Sequence, residues 1–419
     1  MTKTVHIIGA GLSGLSAAVR LANEGYQVHI HEATQNAGGR CRSYFDAATD
    51  MVIDNGNHLL LSGNVHACVY ALTIGTEDKL VGPGSAQFHF ADVSSGKKWL
   101  LDLGKGRFPF WLFDASKRVP DTSLRDYLRL APLIWANTTS LVGDTITCEG
   151  TLYQRLVQPL LLAALNVDPP KGSAGLAGAI VRETLLAGGR SCRPLIAREG
   201  LSAVLVDPAV EMLKAKGATI KFGHELRQIE TKDDKVSMLD FGDDTIALGA
   251  GDAVVLAVPA RPASNIVLGL KAPTKFRAIV NAHFRYDPPQ GLPDLTGVVG
   301  GLIEWLFAFP NRLSITISDA DRLVDTPREE LAGVIWRDIA KVAGFGEAVA
   351  EGPLPPWQIV RERRATFEAT PEQNALRPGP VTEWKNLFLA GDWTDTGLPS
   401  TIEGSIRSGD RAADLVLMR

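Results

Sequence analysis

The chain has 419 residues, which at roughly 150 residues per domain predicts two large domains, or one domain with a large insertion, and excludes a single small module. Hydrophobic residues make up 45% and charged residues 21%, a globular composition that excludes long disorder. Lys+Arg 43 against Asp+Glu 47 gives a net charge of −4 with no block of like charge, so no nucleic-acid partner is expected.

Residues 4–8 (TVHII) read as a short β-branched strand. Gly9-Ala10-Gly11-Leu12-Ser13-Gly14 follows, then a helical pattern with Leu15, Val19 and Ala22 that ends near Gly25. Residues 26–31 (YQVHIH) make a second strand closing on Glu32. This β-α-β unit carries the glycine fingerprint between strand and helix, where a dinucleotide needs it. Gly9 permits the tight turn, Gly11 lets a pyrophosphate approach the backbone, and Gly14 lets helix and strand pack closely. Leu12 and Ser13 open the helix whose N-terminus faces the phosphates. Glu32 is suited to accept hydrogen bonds from an adenosine ribose.

After Glu32 comes ATQNAGGRCRS, in which Gly38-Gly39 precedes Arg40 and Arg42. Close backbone approach and two guanidiniums at one spot suit a pyrophosphate. This segment resembles the second nucleotide motif of the large flavoprotein family that includes monoamine oxidases and phytoene desaturases. Asn36 stands where that family often carries an arginine. The resemblance implies FAD as cofactor.

Further along, Asp54-Asn55-Gly56-Asn57-His58-Leu59-Leu60-Leu61, then 158–166 (QPLLLAALN), Gly188-Gly189-Arg190 and 198–213 (REGLSAVLVDPAVEML) resemble the bacterial squalene-associated FAD enzymes, the hydroxysqualene dehydroxylases. The stretch 105–118 (KGRFPFWLFDASKR) sets aromatic groups between basic flanks. Buried packing beneath a basic rim is the preferred reading, and a patch resting on a membrane surface is the alternative. Residues 124–166 look helical, with Leu124, Leu128, Leu152, Leu156 and Leu160 as apolar positions.

Residues 219–230 and 236–258 read as strands separated by turns, with 253–258 (AVVLAV) buried. In the resembled family such an excursion completes the FAD domain and gives a backbone contact to adenine, here near Leu226. Residues 276–286 and 312–318 look like strands of a second sheet. Residues 386–392 (NLFLAGD) form a buried strand ending in Gly391-Asp392, and 402–416 a final helix. By resemblance Gly391 and Asp392 reach the ribityl-phosphate region, and Thr401-Ile402-Glu403 begins the helix under the flavin ring. Asp392 is also a residue type that strand-to-helix turns favour.

The expected fold is α/β: a Rossmann-type, glutathione-reductase-like FAD domain (1–60, 195–270 and 380–419), discontinuous around an α+β substrate domain (61–194 and 271–379). Four scattered cysteines without a C-x-x-C pair point to a reducing, cytoplasmic compartment and to no metal site. No apolar run is long enough to span a bilayer, and the N-terminus lacks signal-peptide features. Membrane contact would be peripheral, at the inner face.

No G-x-S-x-G elbow or H-E-x-x-H appears in the sequence, so the flavin is expected to carry the chemistry. The family reading implies reductive dehydroxylation of a polyisoprenoid, hydroxysqualene, to squalene. An external electron donor must then reduce FAD, and the sequence specifies neither this donor nor the oligomeric state. An apolar channel is required, and 131–135, 159–165 and 302–309 are suited to line it or to serve as plain core. Asp54 and His58 are the candidate acid or cation-stabilising groups, with Arg190 and Glu304 behind them. Asp54 also suits a turn-holding role and His58 a satisfied structural histidine. Two alternatives are a carotenoid-type desaturase and an amine oxidase with a cage from Trp305, Trp357 and Trp393. A prenyl-lipid escort protein is the non-enzyme alternative.

Overall fold

The computed structural model describes residues 3–419. Its first sheet has five parallel strands in the order Thr219–Phe222, Gln27–Glu32, Thr4–Ile8, Ala253–Leu256 and Leu387–Leu389. The central strands are apolar on both faces because both are covered, as parallel sheets require. Val5, Ile7, Val28 and Ile30 pack with the helices Leu12–Asn23 and Ile402–Leu417 on one side. Ile8, Val254 and Leu256 pack on the other against Leu239 of a three-stranded antiparallel excursion. The two helices cross tightly: a Cβ on Gly409 would overlap the Ser13 carbonyl oxygen and Ser16 Oγ. Ser16 Oγ donates to the Ile406 carbonyl at 3.2 Å across this crossing.

The second sheet has seven strands, in the order Trp357–Phe367, Phe276–Arg285, Arg312–Ile317, Trp305–Phe309, Leu295–Val299, Gln87–Asp92 and Lys98–Asp102. Only the pair Leu295–Val299 and Gln87–Asp92 is parallel. Strand alternation gives it two faces. Val280, Ala282, Phe284, Leu313, Ile315 and Ile317 pack against Ile335, Trp336 and Ile339 of the helix Arg328–Ala343. The opposite face carries Asn281, His283, Ser314 and Thr316, then Trp305, Phe307 and Phe309.

The helical character expected over 124–166 is present only in short pieces. The segment is a series of short turns and helices: Leu124–Leu128, Ala131–Trp135, Val142–Thr145, the π-helical turn Tyr153–Val157, and Gln158–Leu165. Pro132 lacks the N–H that a helix interior needs. Asn137 Oδ1 draws in the Thr139 and Ser140 N–H groups at 3.0 and 2.9 Å, a local turn that competes with the helix. Gly150 has φ +89°, outside helical space. No helix among the described residues is long and apolar enough to cross a membrane.

Candidate functional site

Gly11 caps the helix Leu12–Asn23 without a side-chain hydrogen bond, and no acid stands in the first turn. The first N–H groups and the positive end of the helix dipole are thus left for an anionic ligand. Ser13 is buried in this turn, and Gly9 N donates to the His31 carbonyl at 2.8 Å. A Cβ on Gly14 would overlap the Gly9 carbonyl oxygen, whereas one on Gly11 would meet nothing within 4 Å. Gly14 is required by packing, and Gly11 by whatever fills that space.

The second glycine loop is stitched to the first. Gly38 N donates to the Ala10 carbonyl at 2.8 Å, and a Cβ on Gly39 would lie 3.5 Å from Gly11 Cα. Glu32 accepts from Ala10 N at 2.8 Å, Thr34 N at 2.9 Å and Thr34 Oγ1 at 2.8 Å. A carboxylate has about four acceptor positions, so capacity remains for a ribose hydroxyl. Leu226 joins the two sheet systems of this half, its side chain buried with Ile8 and Phe241.

Arg40 and Asp392 form an ion pair, Nη2 to Oδ1 at 2.6 Å, and Arg40 also donates to the Ala365 carbonyl. Burial opposes the charge of Arg40, and the Asp392 carboxylate more than offsets it, so its pKa is raised. Arg42 turns instead onto the Gly39 carbonyl at 3.1 Å. Gly391 N is held by Ser408 Oγ at 2.8 Å, which ties the end of the last strand to the C-terminal helix. Thr401 caps that helix through Gly404 N at 2.9 Å, and Ile402 is core. Glu403, 1% exposed, accepts from His66 N at 3.2 Å and Ala67 N at 2.9 Å. Its carboxylate therefore caps the helix Val65–Thr73.

The segment 54–58 is fastened to the face of the seven-stranded sheet. Asp54 accepts from Ser43 Oγ at 2.6 Å and Leu201 N at 2.8 Å, with Arg312 Nη2 3.9 Å away. Burial pushes its pKa up, opposed by those two hydrogen bonds and by Arg312. Asn57 donates from its backbone N to Asn281 Oδ1 at 3.1 Å and from Nδ2 to the Ile315 carbonyl at 3.0 Å. Its Oδ1 is buried with no partner among the described residues. His58 is half-buried. Burial, then the Arg40 charge, pulls its pKa down to about 4, so it is neutral at physiological pH. Its Nε2 would lie 3.7 Å from a Cβ on Gly56.

Two residues absent from the sequence reading hold this segment. His283, fully buried, bridges the Asp54 carbonyl at 3.0 Å and Ser314 Oγ at 2.8 Å. Asn281 Oδ1 gathers Asn57 and Thr316 Oγ1, the latter at 2.8 Å. The signal was present: in FRAIVNAHFR, Asn281 and His283 alternate with Val280, Ala282 and Phe284 on a strand buried on both sides.

The structure places the remaining candidates as follows. Arg190 is exposed and lies against the 104–107 loop, its N–H on the Gly106 carbonyl at 3.3 Å. Glu304 is buried and accepts from Ser318 N at 2.9 Å; burial raises its pKa to about 7. Trp305, Trp357 and Trp393 lie in three separate apolar clusters, so they form no amine cage. In the stretch 105–118 only Trp111 is buried: Phe108, Phe110 and Phe113 are 65%, 72% and 74% exposed, against the preferred buried reading. Leu133, Leu161, Leu165, Trp305, Phe307 and Phe309 do come together in one apolar body. Within it Trp99 Nε1, Trp111 Nε1, Trp305 Nε1 and Tyr153 Oη have no partner among the described residues.

Residues 12–417 match the family described as flavin containing amine oxidoreductase. The chain belongs to this family. It is 69% identical to the hydroxysqualene dehydroxylase of Rhodopseudomonas palustris over 418 residues, covering 100% of this chain and 99% of that protein. Identity to the protein of the same name from Sinorhizobium fredii is 66%, again over 100% of this chain and 99% of the relative. The fold is similar to that of cyclohexylamine oxidase from Brevibacterium oxydans, with TM-score 0.72, 18% identity and 100% of each chain covered. The chain is thus a flavin-dependent oxidoreductase. The open space beside Gly11, the converging glycine loops and the remaining acceptor capacity of Glu32 fit FAD.

Proposed function

We propose that this chain reductively dehydroxylates hydroxysqualene to squalene, within squalene and hopanoid biosynthesis. The observation that carries the reading is full-length identity of 69% to a protein of that name. The apolar body beside a short row of polar groups supports it, because a polyisoprenoid with a single hydroxyl needs few polar partners. When bound, reduced FAD supplies a hydride. The hydroxyl would take up the proton that FADH2 releases, alongside its hydride, on going to FAD and would leave as water, so a hydrogen-bond donor is needed beside it to polarise the C–O bond.

In this reading His58, neutral and half-buried, donates its ring N–H to the hydroxyl. Asn57 Oδ1 is a free acceptor beside it. Asp54 is a positioning residue: its carboxylate is taken up by Ser43, Leu201 and Arg312. Gly9, Gly11, Leu12, Ser13 and Gly14, with Gly38 and Gly39, hold the pyrophosphate. Arg40, Arg42, Gly391 and Asp392 flank it, Glu32 holds the ribose, and the Leu226 backbone meets adenine. Thr401, Ile402 and Glu403 contribute through the backbone of the helix N-terminus, since the Glu403 carboxylate is engaged elsewhere. Segments 1–60, 195–270 and 380–419 make up the cofactor domain in this assignment, and 61–194 with 271–379 the substrate domain.

The test is an anaerobic single turnover. The protein's flavin is reduced, hydroxysqualene is added, and flavin absorbance is followed while lipid is extracted. Reoxidation matched by squalene is expected. A flavin that stays reduced with no squalene formed, while a polyene or an amine bleaches the oxidised protein, would assign the opposite redox direction.

A further inference from the structure

The exposed aromatic groups do not lie scattered. Phe108 and Phe110 have ring centroids 6.0 Å apart. The loop bearing them rests on Gly188 and Gly189, where a Cβ would overlap the Arg107 and Gly104 carbonyl oxygens. Trp111 meets Tyr127 edge-on at 5.4 Å, which fixes 108–113 against the helix Leu124–Leu128. The turn Ala131–Trp135 is in turn bound to the helix Ala174–Glu183, through Arg182 Nη1 on the Ile134 carbonyl at 2.7 Å. That helix leads through Leu186 back to Gly188. These contacts close a ring, so Phe108, Phe110, Phe113, Leu128, Trp135 and Leu186 are carried by one continuous cap. Trp135 is 78% exposed and Leu128 62%.

The same cap is basic on an acidic protein. Residues 104–135 hold six Lys or Arg against three Asp or Glu, while the whole chain has net charge −4. Lys105, Arg107, Lys117, Arg125, Arg129 and Arg190 are all exposed. Large apolar side chains between cations fit a bilayer surface with anionic headgroups, where aromatic rings enter the interface and the cations meet phosphate. A bilayer with anionic headgroups supplies both complements at once, acyl chains for the aromatic groups and phosphates for the cations. Beneath the cap lies the apolar body, since Trp111, Val119 and Leu133 pack inward with Trp305 and Phe307.

We propose that this cap is a docking surface for an anionic lipid bilayer. Its inner face roofs the apolar body, so a lipid-dissolved substrate enters from the membrane without crossing water. The entry role rests on the dehydroxylase reading, whereas docking does not.

The test is co-sedimentation of the flavin-loaded protein with vesicles of phosphatidylcholine alone or mixed with phosphatidylglycerol, at low and high salt. The protein is expected to pellet with the anionic vesicles at low salt. The variant F108S/F110S/F113S is expected to weaken this by about tenfold or more, while keeping its flavin absorbance and turnover on detergent-dispersed substrate. K105E/R107E is expected to weaken binding to anionic vesicles by about tenfold and to flatten the salt dependence, with no effect on phosphatidylcholine vesicles. A protein that stays in the supernatant with both vesicle types would overturn the proposal. So would both variants pelleting like the parent, or self-association in solution abolished by the triple variant, which would make a second copy the occupant. Failure of the dehydroxylase reading would show separately, as no turnover in detergent.

Discussion

His283 holds Asp54 from beneath: its Nε2 meets the Asp54 carbonyl at 3.0 Å while its Nδ1 meets Ser314 Oγ at 2.8 Å. The ring is fully buried, and burial, then the Arg312 charge, lowers its pKa to about 3. It is therefore a neutral ring, with Nε2–H donating and Nδ1 accepting. His283→Ala would leave two buried polar groups unpaired and open a cavity. Destabilisation of about 2–4 kcal/mol is expected, read from the midpoint of urea unfolding. An unchanged midpoint would mean that the Asp54 segment is held by its other contacts alone.

Acid should unfold the protein earlier than its carboxylates alone require. His6 and His31 lie side by side on neighbouring strands, Nδ1 to Nε2 at 3.2 Å, and burial lowers their pKa values to about 4 and 3. With His283 at about 3, three rings stay neutral in the folded chain and titrate near 6.5 in the unfolded one. The unfolded state thus binds more protons below that pH. The stability they contribute is complete above about pH 6.5 and is lost as pH falls toward 4. Urea unfolding between pH 7 and 5 should show stability falling throughout; a flat profile would contradict the buried neutral rings.

The pair of Arg40 and Asp392 spans the two ends of the cofactor segment, 352 residues apart in the chain. Asp392→Asn keeps the shape and removes the charge that holds the guanidinium. Arg40 then keeps only the Ala365 carbonyl, and FAD affinity is expected to fall by about tenfold or more, with some loss of fold stability because Asp392 is buried, its side chain 7% exposed. Flavin retention on gel filtration, as the ratio of flavin to protein absorbance, measures this. Full retention would place Asp392 outside the cofactor's reach.

The glycine loops were legible because every part of them lies within some forty residues: strand, turn, helix, second strand, Glu32 and Gly38-Gly39. The C-terminal helix was legible from its apolar period and from Asp392 before it. His283 and Asn281 were not, since their partners Asp54 and Asn57 are 229 and 224 residues away, and no local pattern pairs them. Leucine spacing over 124–166 shows helical character but not where it is interrupted: Pro132, Asn137 and Gly150 each divert the backbone. Phe108, Phe110 and Phe113 read as core because aromatic residues usually are, and only the packing of Gly188 and Gly189 under the loop shows which face it turns outward.

His58 gives the sharpest separation between a catalytic and a structural histidine. Its ring is half-buried, and its pKa is drawn to about 4 by burial and by Arg40. Acting as a neutral donor, it should impose no step near pH 6.5 on the rate of hydride transfer to substrate. His58→Ala is expected to slow that step by about a hundredfold with FAD still bound, and His58→Gln, which keeps a side-chain N–H, to recover part of the loss. Anaerobic stopped-flow reoxidation across pH 5.5–8 reads both effects. A wild-type limb centred near 6.5 that vanishes in His58→Ala would show instead that the charged ring acts as the acid. Equal rates in all three proteins would remove His58 from the reaction.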